Sequence, residues 1–238
     1  MEQKTQNNWL VPISIIVAGL LIAVSIIYAI NKNPMPTTAP NNQQNNVDVK
    51  TIKTNGTPII GKPDAPVTIA YWFDYQCPFC KDFELNTLPQ IMTNYVDSGK
   101  VKIIFKDLQF LDFNSPRKDS QIAGYYEHAI WDLYPDKFIT WRQAMFDKQD
   151  GENSGWGSED DIINLIKTIP GIDVNKVIDQ VKNNKTKYQN IMDASKQEAF
   201  NNGIQGTPGF IINKVVIAQD LPYSQFSQII DQQLSNNK

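Results

Sequence analysis

Cys77-Pro78-Phe79-Cys80 contains the chain's only two cysteines, and it stands directly after an apolar, aromatic run from Val67 to Tyr75. A strand that ends in a helix beginning near Pro78 would make Cys77 the N-terminal cap. Its sulfur would then face unpaired backbone N–H groups and the positive end of the helix dipole, both of which favour a thiolate. The thiolate is the nucleophile of thiol–disulfide exchange. Pro78 suits the first helical position, whose N–H has no intrahelical partner. Cys80 follows one turn on, as a more buried resolving thiol.

Two other uses of the motif compete. Half of a zinc site would need further ligands, usually a second cysteine pair or two histidines, and the chain has a single histidine, His128. No metal is therefore expected. A purely structural disulfide across so short a ring would restrain the unfolded chain very little.

Trp9 to Ile30 contains no charged residue. As a helix it would extend roughly 33 Å, enough to cross a bilayer core, with Trp9 and Tyr28 near its ends where interfacial aromatics are expected. A cleaved signal peptide competes, because Ala23-Val24-Ser25 is a small-x-small pattern. The apolar run continues past that point, however, and outlasts a typical signal core of ~7–15 residues. The expectation is a short tail over 1–8 and a transmembrane anchor over 9–30. Lys4 and Lys32 give little topological bias. A disulfide chemist has its work where thiols are not kept reduced, so the catalytic part is expected on the extracytoplasmic side.

Residues 31–56 are rich in Asn, Gln, Pro and Thr and read as a flexible polar linker. Globular patterning runs from 57 to 238, enough for one sizeable core. The net charge of −3 argues against nucleic acid as a partner.

Within the globular part, Val67–Phe73 is a strand covered on both faces, to judge by its near-continuous hydrophobicity. The helix after Cys77 carries Phe83, Leu85, Leu88, Ile91, Met92 and Tyr95 at helical spacing and stops near Gly99. Pro89 inside it predicts a kink or break. Val101–Leu108 is a second strand, so strand, helix and strand make a βαβ unit with the cysteines at the carboxyl end of the first strand. Open α/β sheets place their sites there.

From about 116 to 202 the pattern is helical, with a capping box at Ser158 and Asp161 and another helix starting near Asp173. Tyr125, Tyr126, Trp131, Tyr134, Phe138, Trp141 and Phe146 read as its core. His128 reads as an ordinary surface or core residue. Beyond Gly206, Phe210-Ile211-Ile212 and Val215-Val216-Ile217 flank a tight turn at Asn213-Lys214, and Pro222–Leu234 forms a last amphipathic helix. A helical block is thus inserted between a βαβ and a ββα half.

This arrangement resembles the DsbA-like thioredoxin-fold proteins. The lead-in Gly61-Lys62-Pro63-Asp64-Ala65-Pro66-Val67 and the stretch Asp74-Tyr75-Gln76-Cys77-Pro78-Phe79-Cys80 are similar to the membrane-anchored bacterial branch. Gly203-Ile204-Gln205-Gly206-Thr207-Pro208-Gly209-Phe210 is similar to its second signature. The resemblance implies an α/β thioredoxin-like fold and a cis Thr207–Pro208 bond against the cysteines. It also implies Cys77 and Cys80 as the catalytic pair, supported by Pro78, Phe79, Thr207 and Pro208, with no cofactor beyond the redox-active disulfide. An X–Pro bond makes the cis turn accessible. The Thr207 backbone could then pair with an extended substrate.

Two positions depart from the family. Some members carry histidine immediately before the second cysteine, where this chain has Phe79, so Cys77 should depend mainly on the helix terminus. Relatives often carry a buried acid six residues before the first cysteine, where this chain has Tyr71. Asp74 and Lys81 lie nearer in sequence. No ligand cluster for the calcium found in some relatives is evident.

The function expected is an extracytoplasmic thiol–disulfide oxidoreductase that donates disulfides to exported proteins with cysteine thiols. The resemblance implies a quinone-linked membrane partner to reoxidise it. A reductase or isomerase using the same pair, and a tethered peptide-binding or chaperone module, are the alternatives.

Overall fold

The computed structural model describes residues 47–236, and the expected tail, anchor and most of the linker lie outside them. Among the described residues no helix is long and apolar enough to cross a membrane. The last part of the expected linker is not free chain. Val47, Val49 and Ile52 are buried around a short 3₁₀ turn, Val49–Thr51, and Val49 donates a backbone hydrogen bond to Asn213 at 2.8 Å. Three apolar residues spaced among polar ones suffice to hold it there, a signal too sparse to separate from the Asn/Gln-rich stretch before it.

Two strands open the sheet, β1 (Ile59–Ile60) and β2 (Val67–Phe73). The chain then runs through helix α1 (Pro78–Asp82), a wide π turn (Phe83–Thr87), α2 (Leu88–Ile91) and a second π turn (Met92–Val96) into strand β3 (Val101–Asp107). Gly99, at φ +74°, makes the exit that a side chain would resist. The disturbance expected at Pro89 takes a specific form. The helical run is not broken but widened ahead of the proline, where the Leu88 N–H reaches back five residues to the Phe83 carbonyl. Proline cannot donate to the carbonyl four residues earlier, and its ring needs that extra room.

The inserted block comprises α3 (Asp119–Leu133), a 3₁₀ turn (Pro135–Lys137), α4 (Phe138–Lys148), α5 (Glu159–Ile166) and the long α6 (Val174–Asn201). Ser158 and Asp161 form the expected capping box, and Asp173 caps α6 by accepting from the N–H groups of Asn175 and Lys176. Strands β4 (Gly209–Ile212) and β5 (Val215–Ile217) and helix α7 (Tyr223–Asn236) follow. Asn213, at φ 53°, turns the hairpin between the strands.

The strands lie in the order β1-β3-β2-β4-β5. β2 and β3 are parallel in register from Val67 opposite Val101 to Phe73 opposite Asp107, and the other pairings are antiparallel. Every residue of β2 is buried. Val67, Ile69, Tyr71 and Phe73 join the larger core under the helical block and α7. Ala70 and Trp72 join a second core with Ile104, Ile211, Ala199 and Ile204. Alternation along a strand sends neighbours to opposite faces, so a strand apolar at every position needs a cover on both. Helix α6 contributes to that cover: the Trp72 indole donates to the Ser195 carbonyl at 3.1 Å, and the Ser195 hydroxyl donates to the Asp107 carbonyl at 2.7 Å.

The aromatic set of the inserted block is core, as its sequence suggests. Tyr125, Tyr126, Phe138, Trp141 and Phe146 are buried, and Trp131 and Tyr134 pack partly exposed against them. His128 is also interior, bonded to Asp107 at 2.9 Å and stacked on Tyr188.

Candidate active site

The apolar β2, the central strand, delivers the chain to the carboxyl end of the sheet at Phe73, and Asp74 manages the turn that follows. Its carboxylate accepts from the Gln76 N–H at 2.8 Å, the Leu111 N–H at 2.9 Å and the Ser120 hydroxyl at 2.5 Å, while its carbonyl accepts from the Cys77 N–H. Burial raises the Asp74 carboxyl to a pKa of about 6 against those hydrogen bonds. Cys77 then caps α1 in an extended conformation, with Pro78 at the first helical position. The inserted block braces this turn from the other side. Gln149, just past α4, donates its amide to the carbonyls of Tyr75 (2.6 Å) and Cys77 (3.1 Å), and the Gln76 side chain accepts from the Asn153 N–H. No sequence motif marks Gln149.

Both cysteines are free thiols. Cys80 is fully buried, and Cys77, although the less buried of the two, is itself only 4% exposed. Pro78 and Phe79 stand outside, Phe79 at 62%. The Thr207–Pro208 bond is cis, with Pro208 buried and Thr207 half-buried. The Cys77 thiol donates to the Thr207 carbonyl at 3.3 Å. All six residues singled out from the sequence therefore converge on one end of the sheet.

The two sulfurs ionise very differently. The Cys80 thiol, by hydrogen bonding to Cys77, is the largest influence drawing Cys77 down to about 7; the Thr207 side chain and the N–H groups of Cys80 and Phe79 add to it, and burial opposes it. The Thr207 carbonyl bond favours the protonated thiol, but the donors outweigh it. The terminal amides expected to act on Cys77 do contribute, and the partner thiol adds the largest single influence. Burial drives Cys80 the other way, well above its ordinary value, and the neighbouring Cys77 charge adds to this. Lys81 does not serve the sulfurs, since its ammonium donates to the carbonyls of Gln149 (2.7 Å) and Asp147 (3.3 Å).

Behind Cys80 lies a buried charged cluster that sequence reading missed. Arg142 is sandwiched between the rings of Phe73 and Phe105, 4.0 and 4.4 Å from their centroids. It donates to Glu84, to Glu127 at 3.0 Å and to the Tyr75 hydroxyl at 3.0 Å. Glu84 follows Cys80 by one helical turn, the one local hint the sequence holds. Among the described residues no group of three or more His, Cys, Asp or Glu side chains is placed to hold a metal ion.

A mixed sheet with a CxxC pair at a helix start, faced by a cis X–Pro turn and interrupted by a helical block, defines a thiol–disulfide oxidoreductase of thioredoxin-like fold. A family model described as thioredoxin matches residues 53–232, and the chain belongs to that family. It is similar to disulfide bond formation protein D of Bacillus subtilis (strain 168), 28% identical over 179 residues that cover 75% of this chain and 78% of the relative. The probable disulfide bond formation protein D of Bacillus anthracis is 26% identical over 176 residues, 74% and 77% of the two chains. Among solved structures, oxidised BdbD from Bacillus subtilis superposes with a TM-score of 0.67 at 26% identity, covering 77% of this chain and 95% of that one. The thiol-disulfide exchange protein alpha-DsbA2 from Wolbachia pipientis has a TM-score of 0.62 at 23% identity, with 74% and 86% covered, and speaks for the fold alone.

Proposed function

We propose that Cys77 and Cys80 are the redox pair and that the protein donates disulfides to exported proteins carrying cysteine thiols. The observation that carries this reading is the split between the sulfurs, one lowered to about 7 and the other raised, against the Thr207 turn. In the oxidised enzyme a substrate thiolate attacks the Cys77 sulfur. The electron pair of the Cys77–Cys80 bond leaves on Cys80, and a mixed disulfide forms. A second substrate thiolate attacks the substrate sulfur of that mixed disulfide and expels Cys77 as thiolate. The substrate is oxidised by two electrons and the enzyme is reduced to its dithiol.

The direction is supported by the names of the relatives, which are disulfide bond formation proteins. The apolar stretch 9–30 supports an anchor in the membrane, with the catalytic domain on the extracytoplasmic side. A quinone-linked membrane protein is the reoxidising partner in this reading. No metal or organic cofactor takes part.

One observation favours a second reading. A leading thiol near 7 resembles thioredoxin, about 7, more than a strongly oxidising DsbA, about 3.5. A reductase or isomerase would use the same pair in reverse. Redox titration against glutathione separates the two. A potential well above about −270 mV supports the oxidase, and one at or below it makes the protein a reductase. Cys77→Ala should abolish exchange; retained activity would favour a peptide-binding or chaperone module instead.

A further inference from the structure

Exchange through Cys77 creates a local problem at Cys80. When the disulfide opens, Cys80 leaves as a thiolate in a fully buried position, where the Asp74 N–H favours the charge but burial outweighs it, so a further hydrogen-bond donor would relieve a real cost. One unused donor is at hand. Tyr71 sits in β2 directly beneath the helix that carries the cysteines, fully buried. Its ring stacks on Phe210 at 4.8 Å and tilts against Phe83 at 4.7 Å. Its hydroxyl has no partner at hydrogen-bonding geometry in the dithiol protein, and neither has Oε2 of the buried Glu84. Cys80 and Glu84 both act on the Tyr71 hydroxyl at close range, so two unsatisfied buried polar atoms beside a reactive pair call for a reason.

We propose that Tyr71 donates the hydrogen bond that receives Cys80 as a leaving thiolate, and that Glu84, held by Arg142, positions the Tyr71 hydroxyl between itself and the sulfur. The proton stays on Tyr71 throughout. The S–S electron pair moves to Cys80, and the hydroxyl turns from the Glu84 side to the new anion, so no further reactant is needed. Burial, Cys80 and Glu84 all hold the Tyr71 phenol far above its ordinary pKa, which keeps it a donor at every working pH. Arg142 holds Glu84 through its other oxygen, leaving Oε2 unpartnered, and the Tyr71 hydroxyl is among the groups that draw the Glu84 carboxyl down against burial.

This inference rests on Cys77 and Cys80 being the redox pair, so the test measures two steps separately. In the first, the oxidised protein reacts with reduced glutathione and Cys80 leaves. In the second, a Cys80→Ala protein carrying glutathione on Cys77 is cleaved by glutathione and Cys77 leaves. Tyr71→Phe removes only the hydroxyl. It should slow the first step by about tenfold or more, the scale of one hydrogen bond to a charged group, and leave the second unchanged. Equal slowing of both steps, or of neither, overturns the proposal. Should the Phe variant fold poorly, fluorotyrosine placed at position 71 is a stronger donor and must accelerate the first step; no acceleration overturns it equally. Glu84→Gln should slow the first step alone, with the Cys77 pH profile unmoved. If the wild-type protein does not exchange with glutathione, the redox reading itself has failed, a result distinct from any of these.

Discussion

The sulfur of Cys77 lies 3.3 Å from the carbonyl oxygen of Thr207, 130 residues further along the chain. That contact joins the βαβ half to the ββα half at the point where the chemistry occurs. The register of β2 with β4, Trp72 opposite Gly209 and Tyr71 opposite Phe210, sets the distance. Anything that shifts β4 against β2 therefore shifts the turn against the sulfur.

Gly209→Ala tests that register. A Cβ there would lie 2.4 Å from Ile204 Cγ2 and 3.3 Å from the Gly206 carbonyl. We expect a loss of about 1–3 kcal/mol in denaturant unfolding, the scale of overpacking in a filled core. The exchange rate should fall as well. Unchanged stability would mean that Ile204 yields without cost.

The Cys77 alkylation rate should follow a titration with its midpoint near 7. Because the Cys80 thiol is the largest contributor, Cys80→Ala should raise that midpoint even though the helix terminus is intact. A midpoint that stays put would return the effect to the backbone amides.

The same ionisation makes stability depend on pH. The folded pKa of Cys77 lies below the thiol's ordinary 9.0, so its contribution is present above that value and is lost as pH falls through about 7. The dithiol protein should gain stability relative to the disulfide form between pH 7 and 9. Paired melting curves across that window check the sign, and parallel curves would contradict it.

Phe79→His places an ionisable donor beside the sulfurs at a position 62% exposed. The fold should tolerate it with a change within about 0.5 kcal/mol, as for most surface substitutions. The Cys77 midpoint should drop by about one unit or more, and the protein should become more oxidising. The two readouts are thiol titration and redox equilibrium with glutathione.

Arg142→Met leaves Glu84 and Glu127 buried without their shared cation. Removing one partner from a buried ion cluster costs about 3–5 kcal/mol. Arg142 already fails to prevent burial from raising Glu127 to about 7. The remaining carboxyls would neutralise by protonation, so the loss should be smaller at pH 5 than at pH 8. Equal losses at both would show that the carboxyls do not titrate in the variant.

Much of the fold can be read locally. The strand at Val67–Phe73, the helix at Pro78, the capping box at Ser158 and the hairpin turn at Asn213 each rest on a periodicity or turn residue within a few positions. The site was legible to the same extent: Cys77, Pro78, Phe79 and Cys80 are adjacent, and Thr207-Pro208 stands out before a hairpin. Gln149, Arg142 and Glu84 were not, because a lone polar residue in an amphipathic helix does not say whether its side chain reaches water or another element. The tight packing at residues 47–52 was hidden for a related reason, a few apolar residues diluted by many polar ones.

What the amino-acid order determined on its own is the set of elements and the reactive pair, since backbone propensity and nearest-neighbour spacing act over a few residues. Only the folded chain decided that Cys77 would be buried against Thr207, that its partner thiol would act on it beside the helix end, and that Arg142 would lie between two buried carboxylates. Those outcomes depend on which faces of distant elements meet, and ionisation in a dry interior depends on every group within a few ångströms, wherever it lies in the chain.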